Sequence, residues 1–250
     1  MGALEGKVAL ITGGGTGIGE GIALKFAAEG ARVVIAARRS EPLEAVAAKA
    51  PENISFVTMD LSKRADREAA LHKVIERHGK LDVLVNNAAY QLWKPFAEIT
   101  EEEITDLYFT NMTSITLLIK SALPLLEKTR GNIVNISSTA GRYVSTPSDF
   151  LTVYSASKAG LNQLTRSLAP EIGALGVRIN AVAPGVTLGE FALDSMKDIP
   201  GHLDGLIKRT ALGRVGAPDD IARAVAFLAS DEAAWVTGQV LDAAGGWQIG

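Results

Sequence analysis

Cysteine is absent from the 250 residues, and histidine occurs only three times. Without a thiol there is no disulfide framework, thiolate zinc site, iron–sulfur cluster or cysteine nucleophile. His72, His78 and His202 are the whole supply of imidazole. His72 and His78 are not spaced to share a helix face as an i, i+4 pair would be. HExxH and GxSxG strings are also missing, which argues against a zinc hydrolase and against an esterase with a serine–histidine–aspartate triad. No apolar run approaches the ~20 residues of a membrane span. The opening Met1-Gly2-Ala3-Leu4-Glu5-Gly6-Lys7 lacks the basic start and apolar stretch of a secretory signal. Nor is there an excess of cations. The net charge is -3 and the pI about 5.7, which opposes binding driven by phosphate neutralisation. A cytoplasmic protein that binds neither nucleic acid nor membrane is expected.

Glycine, by contrast, is abundant, at 25 residues, above the usual share of about 7%. The hydrophobic share of 47% and charged share of 21% are those of a globular chain. The length suits one large domain spanning 1–250. Short β-branched runs alternate with longer amphipathic stretches. Strands are expected over Lys7–Thr12, Arg32–Ala36, Ile54–Thr58, Leu81–Asn86, Asn132–Ile136, Arg178–Ala183 and Gln239–Asp242. Most are continuous apolar runs, the pattern of strands covered on both faces. Helices are expected over Gly17–Glu29, Glu41–Lys49, Lys63–His78, Glu101–Lys128, Val153–Gly173 and Asp219–Ser230. This alternation implies an α/β fold with a doubly wound parallel sheet and helices on both faces. The long irregular stretch Pro184–Pro200 has the length of a binding loop.

Much of the glycine surplus sits directly after the first strand, in Thr12-Gly13-Gly14-Gly15-Thr16-Gly17-Ile18-Gly19. Glycines let the chain turn sharply and let backbone N–H groups approach a pyrophosphate, while the following helix N-terminus favours negative charge. The second strand runs into Ala37-Arg38-Arg39. An NAD site usually has a carboxylate near this point for the ribose 2′-hydroxyl. Here two guanidiniums replace it, and their planar forks suit a 2′-phosphate, so NADP(H) is expected in preference to NAD(H).

Tyr154-Ser155-Ala156-Ser157-Lys158 places a phenol and an ammonium one helical turn apart on the same face. An unperturbed tyrosine has a pKa near ~10, too high for a base at neutral pH. A neighbouring cation would favour the phenolate and fit it to exchange a proton with an alcohol or ketone oxygen. Ser138 ends the apolar run Ile133–Ile136, at a strand C-terminus where open α/β sheets bind ligands. Its hydroxyl would steady a substrate oxygen beside Tyr154. Asn111 is a poor residue for a helix interior because its side chain competes for backbone bonds, and a local kink is expected there.

The Thr-Gly-x-x-x-Gly-x-Gly spacing, Asn86-Asn87-Ala88, Asn111, Ile136-Ser137-Ser138, Tyr154-x-x-x-Lys158 and Pro184-Gly185 together resemble the short-chain dehydrogenase/reductase family along the whole chain. The resemblance implies a single-domain, Rossmann-like, seven-stranded parallel sheet. It also implies a catalytic tetrad of Asn111, Ser138, Tyr154 and Lys158, with Asn111 bending its helix and holding a water linked to the lysine. Cofactor contacts are implied for Gly13, Gly15, Thr16, Gly17, Ile18, Gly19, Asp60, Leu61, Asn87, Ala88, Ala89, Tyr154, Lys158, Pro184, Gly185, Val186 and Thr187, beside Arg38 and Arg39. Within that set, Asp60 would meet the adenine amino group, Lys158 the ribose hydroxyls, and Thr187 or the Val186 backbone the carboxamide. The pattern departs in two places: Thr16 stands where many NADP-preferring relatives carry a basic residue, and Ala89 where the family usually has glycine. Substrate-rim candidates are Gln91, Trp93, Ala140, Tyr143, Val144, Phe150, Phe191 and Met196, with a lid over 186–210. The rim is mostly apolar and suits a hydrophobic ketone or secondary alcohol. No metal is required, and a homotetramer, or else a homodimer, is implied. Two other functions compete: a 3-ketoacyl-thioester reductase of the same family, and a cofactor-binding sensor without turnover.

Overall fold

The computed structural model describes residues 2–143, 150–189 and 202–247. Its strands are β1 (Val8–Thr12), β2 (Arg32–Ala37), β3 (Ile54–Thr58), β4 (Val83–Asn86), β5 (Asn132–Ile136), β6 (Arg178–Pro184) and β7 (Val240–Ala243). They pair in parallel, in the order β3-β2-β1-β4-β5-β6-β7. The helices are α1 (Gly17–Ala28), α2 (Ser40–Ala47), α3 (Arg64–His78), α4 (Glu101–Tyr108), α5 (Ser114–Thr129), α6 (Thr152–Gly173), α7 (His202–Lys208) and α8 (Pro218–Ala229).

Because strand side chains alternate between faces, each apolar run feeds two cores. Ala9, Ile11, Val33 and Ile35 join Phe26 of α1, Leu43 of α2 and Val225 of α8. Val8, Leu10, Val34 and Ala36 join Val74 of α3, Leu118 of α5 and Leu161 of α6 on the opposite face. This double burial explains why the strands read as unbroken apolar runs. β4 begins two residues later than expected because the Asp82 carboxylate, rather than a strand carbonyl, accepts the Val8 N–H at 2.7 Å.

The helix expected over Glu101–Lys128 is real but interrupted. It starts at a capping box, with the Glu103 N–H on the Thr100 hydroxyl at 3.2 Å and the Thr100 N–H on the Glu103 carboxylate at 2.8 Å. A π-helical turn over Phe109–Thr113 then separates α4 from α5. The Ser114 hydroxyl donates to the Thr110 carbonyl and the Thr116 hydroxyl to the Met112 carbonyl, each at 2.8 Å, so side chains satisfy carbonyls at the break. Contrary to the sequence expectation, Glu101–Thr129 is long and apolar enough, by length and composition, to cross a membrane. In the fold, its α5 half buries Ile115, Leu118, Ile119, Ala122 and Leu126 against the sheet. α7 was not anticipated. It follows the long loop and carries Gly205, a poor helix former.

Phe26 is fully buried between the sheet and α8. Phe26→Ala should cost about 3–5 kcal/mol in urea unfolding. Phe56→Ala, at a side chain 39% exposed on β3, should cost less than about 1 kcal/mol.

Candidate active site

The chain direction reverses across the sheet between β1 and β4, and ligands of open α/β sheets bind at such switch points. Thr12, the last residue of β1, stitches this point together. Its hydroxyl accepts the N–H groups of Asn87 at 3.0 Å and Ala88 at 3.1 Å. The Asn87 carboxamide donates back to the carbonyls of Thr12 at 3.0 Å and Gly13 at 3.1 Å. Gly13 has φ +68°, and a Cβ there would stand 2.9 Å from Ala88 Cα. A Cβ on Gly19 would collide with the Gly13 carbonyl. The turn and the first turn of α1 therefore pack backbone on backbone. At the mouth of this turn, Thr16 offers α1 no side-chain cap, and a Cβ on Gly17 would meet nothing within 4 Å. An uncapped helix N-terminus with room beside it, among the described residues, fits a pyrophosphate. Gly15 and Ile18 lie in the same turn. Gly15 abuts Pro42 at the start of α2, where a Cβ would come within 3.1 Å.

Arg38 and Arg39 follow β2 and are exposed, Arg39 directly preceding α2. Asp60 lies beyond β3, where one carboxylate oxygen accepts both the hydroxyl of Ser62 at 2.7 Å and its N–H at 2.9 Å. These bonds hold its carboxyl below the usual range, and the Arg38 charge adds a smaller pull. Ala88 and Ala89 lead away from β4 beside the glycine turn. After β6, the Thr187 hydroxyl donates to the Gly185 carbonyl at 3.0 Å, and Val186 and Leu188 pair with Gly216 ahead of α8. The cofactor candidates thus gather along the carboxyl edge of the sheet.

Ser138, just past β5, caps a 3-10 turn over Thr139–Gly141 by accepting the Ala140 N–H at 3.1 Å. A Cβ on Gly141 would come within 2.7 Å of the Lys158 backbone, so this turn lies directly on α6. Tyr154 and Lys158 are both buried on α6. The Lys158 ammonium donates to the Ile136 carbonyl at 2.8 Å and lies 5.6 Å from the Tyr154 ring centroid. Burial pushes Lys158 down to about 8. Burial also raises Tyr154. The sequence expectation had Lys158 lowering Tyr154. In the structure the ammonium is turned to a strand-end carbonyl, and loss of water around the phenol is the largest influence on it.

Asn111 lies in the π turn and is fully buried. Its side chain accepts the Tyr90 N–H at 2.8 Å and donates to the Tyr90 carbonyl at 2.9 Å and the Ser157 hydroxyl at 3.1 Å. These contacts tie the loop after β4 to α6.

A family model described as enoyl-(acyl carrier protein) reductase matches residues 13–248. The chain is 35% identical to the 3-oxoacyl-acyl-carrier-protein reductase FabG of Thermotoga maritima, covering 98% of this chain and 99% of that one. It is 38% identical to 1,6-dihydroxycyclohexa-2,4-diene-1-carboxylate dehydrogenase of Acinetobacter baylyi, over 98% and 97% of the two chains. A third relative, 4-formylbenzenesulfonate dehydrogenase of Comamonas testosteroni, is also 38% identical, over 98% and 99%. The chain belongs to the short-chain dehydrogenase/reductase family. It is therefore an oxidoreductase whose family implies a nicotinamide cofactor, and the glycine turn fits that group's pyrophosphate.

The rim of this dehydrogenase/reductase site is partly described. Ala140 belongs to the 3-10 turn, and Trp93 is half-buried. The Tyr143 hydroxyl donates to Asp242 of β7 at 3.1 Å, and Arg142 reaches the same carboxylate at 2.9 Å. Phe150 is 45% exposed with φ +46°, and its carbonyl accepts the Lys94 N–H at 3.3 Å. Val144, Phe191, Met196 and residues 190–201 of the lid lie outside the described residues. Three contributors escaped the sequence reading: Thr12, Ser157 and Asp242. Only Thr12 carried a local signal, as the hydroxyl that opens the glycine turn.

Between pH 8 and its ordinary 10.5, Lys158 is protonated in the unfolded chain but largely neutral in the folded one, so stability rises with pH through this window. Lys158→Met should therefore stabilise the cofactor-free protein by about 2 kcal/mol near neutral pH. Urea unfolding at a series of pH values should show the gain fading toward pH 10.5.

Proposed function

We propose that the protein is a cytoplasmic, NADP(H)-dependent oxidoreductase that interconverts a hydrophobic ketone and its secondary alcohol, with Tyr154 as general acid and base. The observation that carries this reading is the turn capped by Ser138 at the end of β5, which packs on the Lys158 backbone of α6, the helix that buries Tyr154 and Lys158 one turn apart. A nicotinamide, when bound, supplies the hydride that reaches the carbonyl carbon in reduction. Ser138 donates to the carbonyl oxygen and holds it beside the phenol. Tyr154 gives that oxygen its proton and recovers one from solvent; in oxidation its phenolate removes the alcohol proton. Lys158 spends one N–H on Ile136 and has two further donors for ribose hydroxyls. Asn111 holds Tyr90 and Ser157 in place, and so positions the loop and the helix that flank the phenol. The exposed Arg38 and Arg39, with Ala37 where a carboxylate would repel a 2′-phosphate, support NADP(H). A homotetramer or homodimer is the assembly proposed.

A second reading, reduction of a 3-ketoacyl thioester, draws support from the FabG relatives. The two separate in a panel of ketones, diketones, steroids and ketoacyl thioesters, run in reduction with NADPH and NADH and in oxidation with the matching alcohols. Fastest turnover of a thioester would favour the second reading. Tyr154→Phe should lower turnover by about 10³-fold, with cofactor affinity changed less than about twofold; rates like those of the unaltered enzyme would remove Tyr154 from its role. Arg38→Ala with Arg39→Ala should weaken NADPH binding by about 10–100-fold and leave NADH binding nearly unchanged, measured by fluorescence titration.

A further inference from the structure

We propose that Asp242 is a positioning residue: by gripping Arg142 and Tyr143, its carboxylate fixes the turn that aims the Ser138 hydroxyl at the substrate oxygen. This role rests on Ser138 steadying that oxygen, as in the reaction proposed above. Ser138 caps the short 3-10 turn Thr139–Gly141, and a hydroxyl so placed is aimed only as well as its turn is held. One hold comes from α6. Gly141 lies on the Lys158 backbone, and the Asn162 carboxamide donates to the Gly141 carbonyl at 3.3 Å. A second hold comes from β7. Arg142 and Tyr143 leave the turn with both of their backbone N–H groups on the Thr139 carbonyl at 2.9 Å. Their side chains then converge on Asp242. The Arg142 guanidinium donates to one carboxylate oxygen at 2.9 Å, and the Tyr143 hydroxyl to the other at 3.1 Å. The same guanidinium nitrogen also donates to the Val240 carbonyl at 3.1 Å.

Two features separate this grip from an ordinary surface ion pair, which contributes little. First, one carboxylate engages two consecutive residues through its two oxygens, which fixes direction as well as distance. Second, the next residue of β7 holds the cofactor side of the site. The Ala243 carbonyl accepts the Gly185 N–H at 3.2 Å, and a Cβ on Gly185 would come within 2.8 Å of the Ala244 side chain. Gly185 opens the loop from which Val186 and Thr187 are expected to meet the nicotinamide carboxamide. Adjacent residues of one strand therefore hold the Ser138 turn and the cofactor loop in a common frame. Asp242 does the first through its side chain and Ala243 the second through its backbone, so a substitution at Asp242 disturbs one alone. The Asp242 carboxylate also borders an open cleft of about 220 Å³, shared with Val186 and Arg214. Its removal widens existing space and empties no packed core.

The test is a double-mutant cycle between Asp242 and Ser138 in the full chain. It is read on the carbonyl compound of the panel above that is reduced fastest, with the better of NADPH and NADH at saturation. High enzyme concentration keeps the slow Ser138→Ala background readable. Asp242→Ala should lower kcat by about 10–100-fold, while affinity for the reduced cofactor, from fluorescence titration, changes less than about twofold. Asp242→Asn keeps an acceptor for Arg142 and a donor for the Tyr143 oxygen, and should restore kcat to within about threefold of the unaltered enzyme. In the Ser138→Ala background, Asp242→Ala should cost less than about twofold, because a residue that acts through Ser138 has nothing left to act on. An equal fold-loss in both backgrounds would overturn the proposal, as would turnover by Asp242→Ala within about twofold of the unaltered enzyme. Should the alanine variant fold poorly, Arg142→Met with Tyr143→Phe releases the same grip from the other side and enters the same cycle, with the same outcomes. Failure of the underlying reading has a different signature: Ser138→Ala alone would turn over like the unaltered enzyme.

Discussion

Lys158 carries a potential positive charge at a position 1% exposed, and the Ile136 carbonyl, 2.8 Å away, receives its ammonium. Such a group is costly to bury, and it stays only where its surroundings are tightly fixed. Those surroundings are the site itself. The Ser137 hydroxyl donates to the Lys158 carbonyl at 3.3 Å, and Gly141 lies on the Lys158 backbone without room for a Cβ. One turn further along α6, the Asn162 carboxamide donates to the Gly141 carbonyl at 3.3 Å. A single residue thus locks together the end of β5, the turn that carries Ser138 and the helix that carries Tyr154.

The rest of the carboxyl edge follows the same division of labour. Apolar faces above and below the sheet set the strand positions, and polar side chains at the strand ends bind one end to the next. Thr12 and Asn87 join β1 to β4. The Asn86 carboxamide reaches Asn135 at 2.8 Å and so joins β4 to β5 deep in the sheet. Asp242 draws Arg142 and Tyr143 toward β7. Each link is modest alone, but each sits where water is scarce and an unmade bond would be expensive.

Legibility in the sequence tracks these physical causes. Val8–Ile11 is unmistakable as a strand because both of its faces are buried, and the glycines after it are forced by backbone contact. Asn111 was recognisable as a misfit inside a helix. That the misfit is a π turn, with the carboxamide spent on Tyr90, depends on a loop that no local pattern reveals. Helical spacing put Tyr154 and Lys158 on one face, but it fixes only where a side chain starts. A flexible lysine ends at its best acceptor, which proved to be the Ile136 carbonyl. Asp242 is distant in sequence from Arg142 and Tyr143, and their partnership comes from topology.

The π turn at Phe109–Thr113 has a consequence for how the long helix is geared. One residue beyond the α-helical register rotates everything downstream by roughly 100°. α4 therefore turns Leu107 toward the small cluster around Tyr154, while α5 turns Ile115, Leu118 and Ala122 toward the sheet. An unbroken helix would have to align both stripes on one spiral. With the slipped register, the half beside Tyr154 and the half that supports the sheet each keep their own phase.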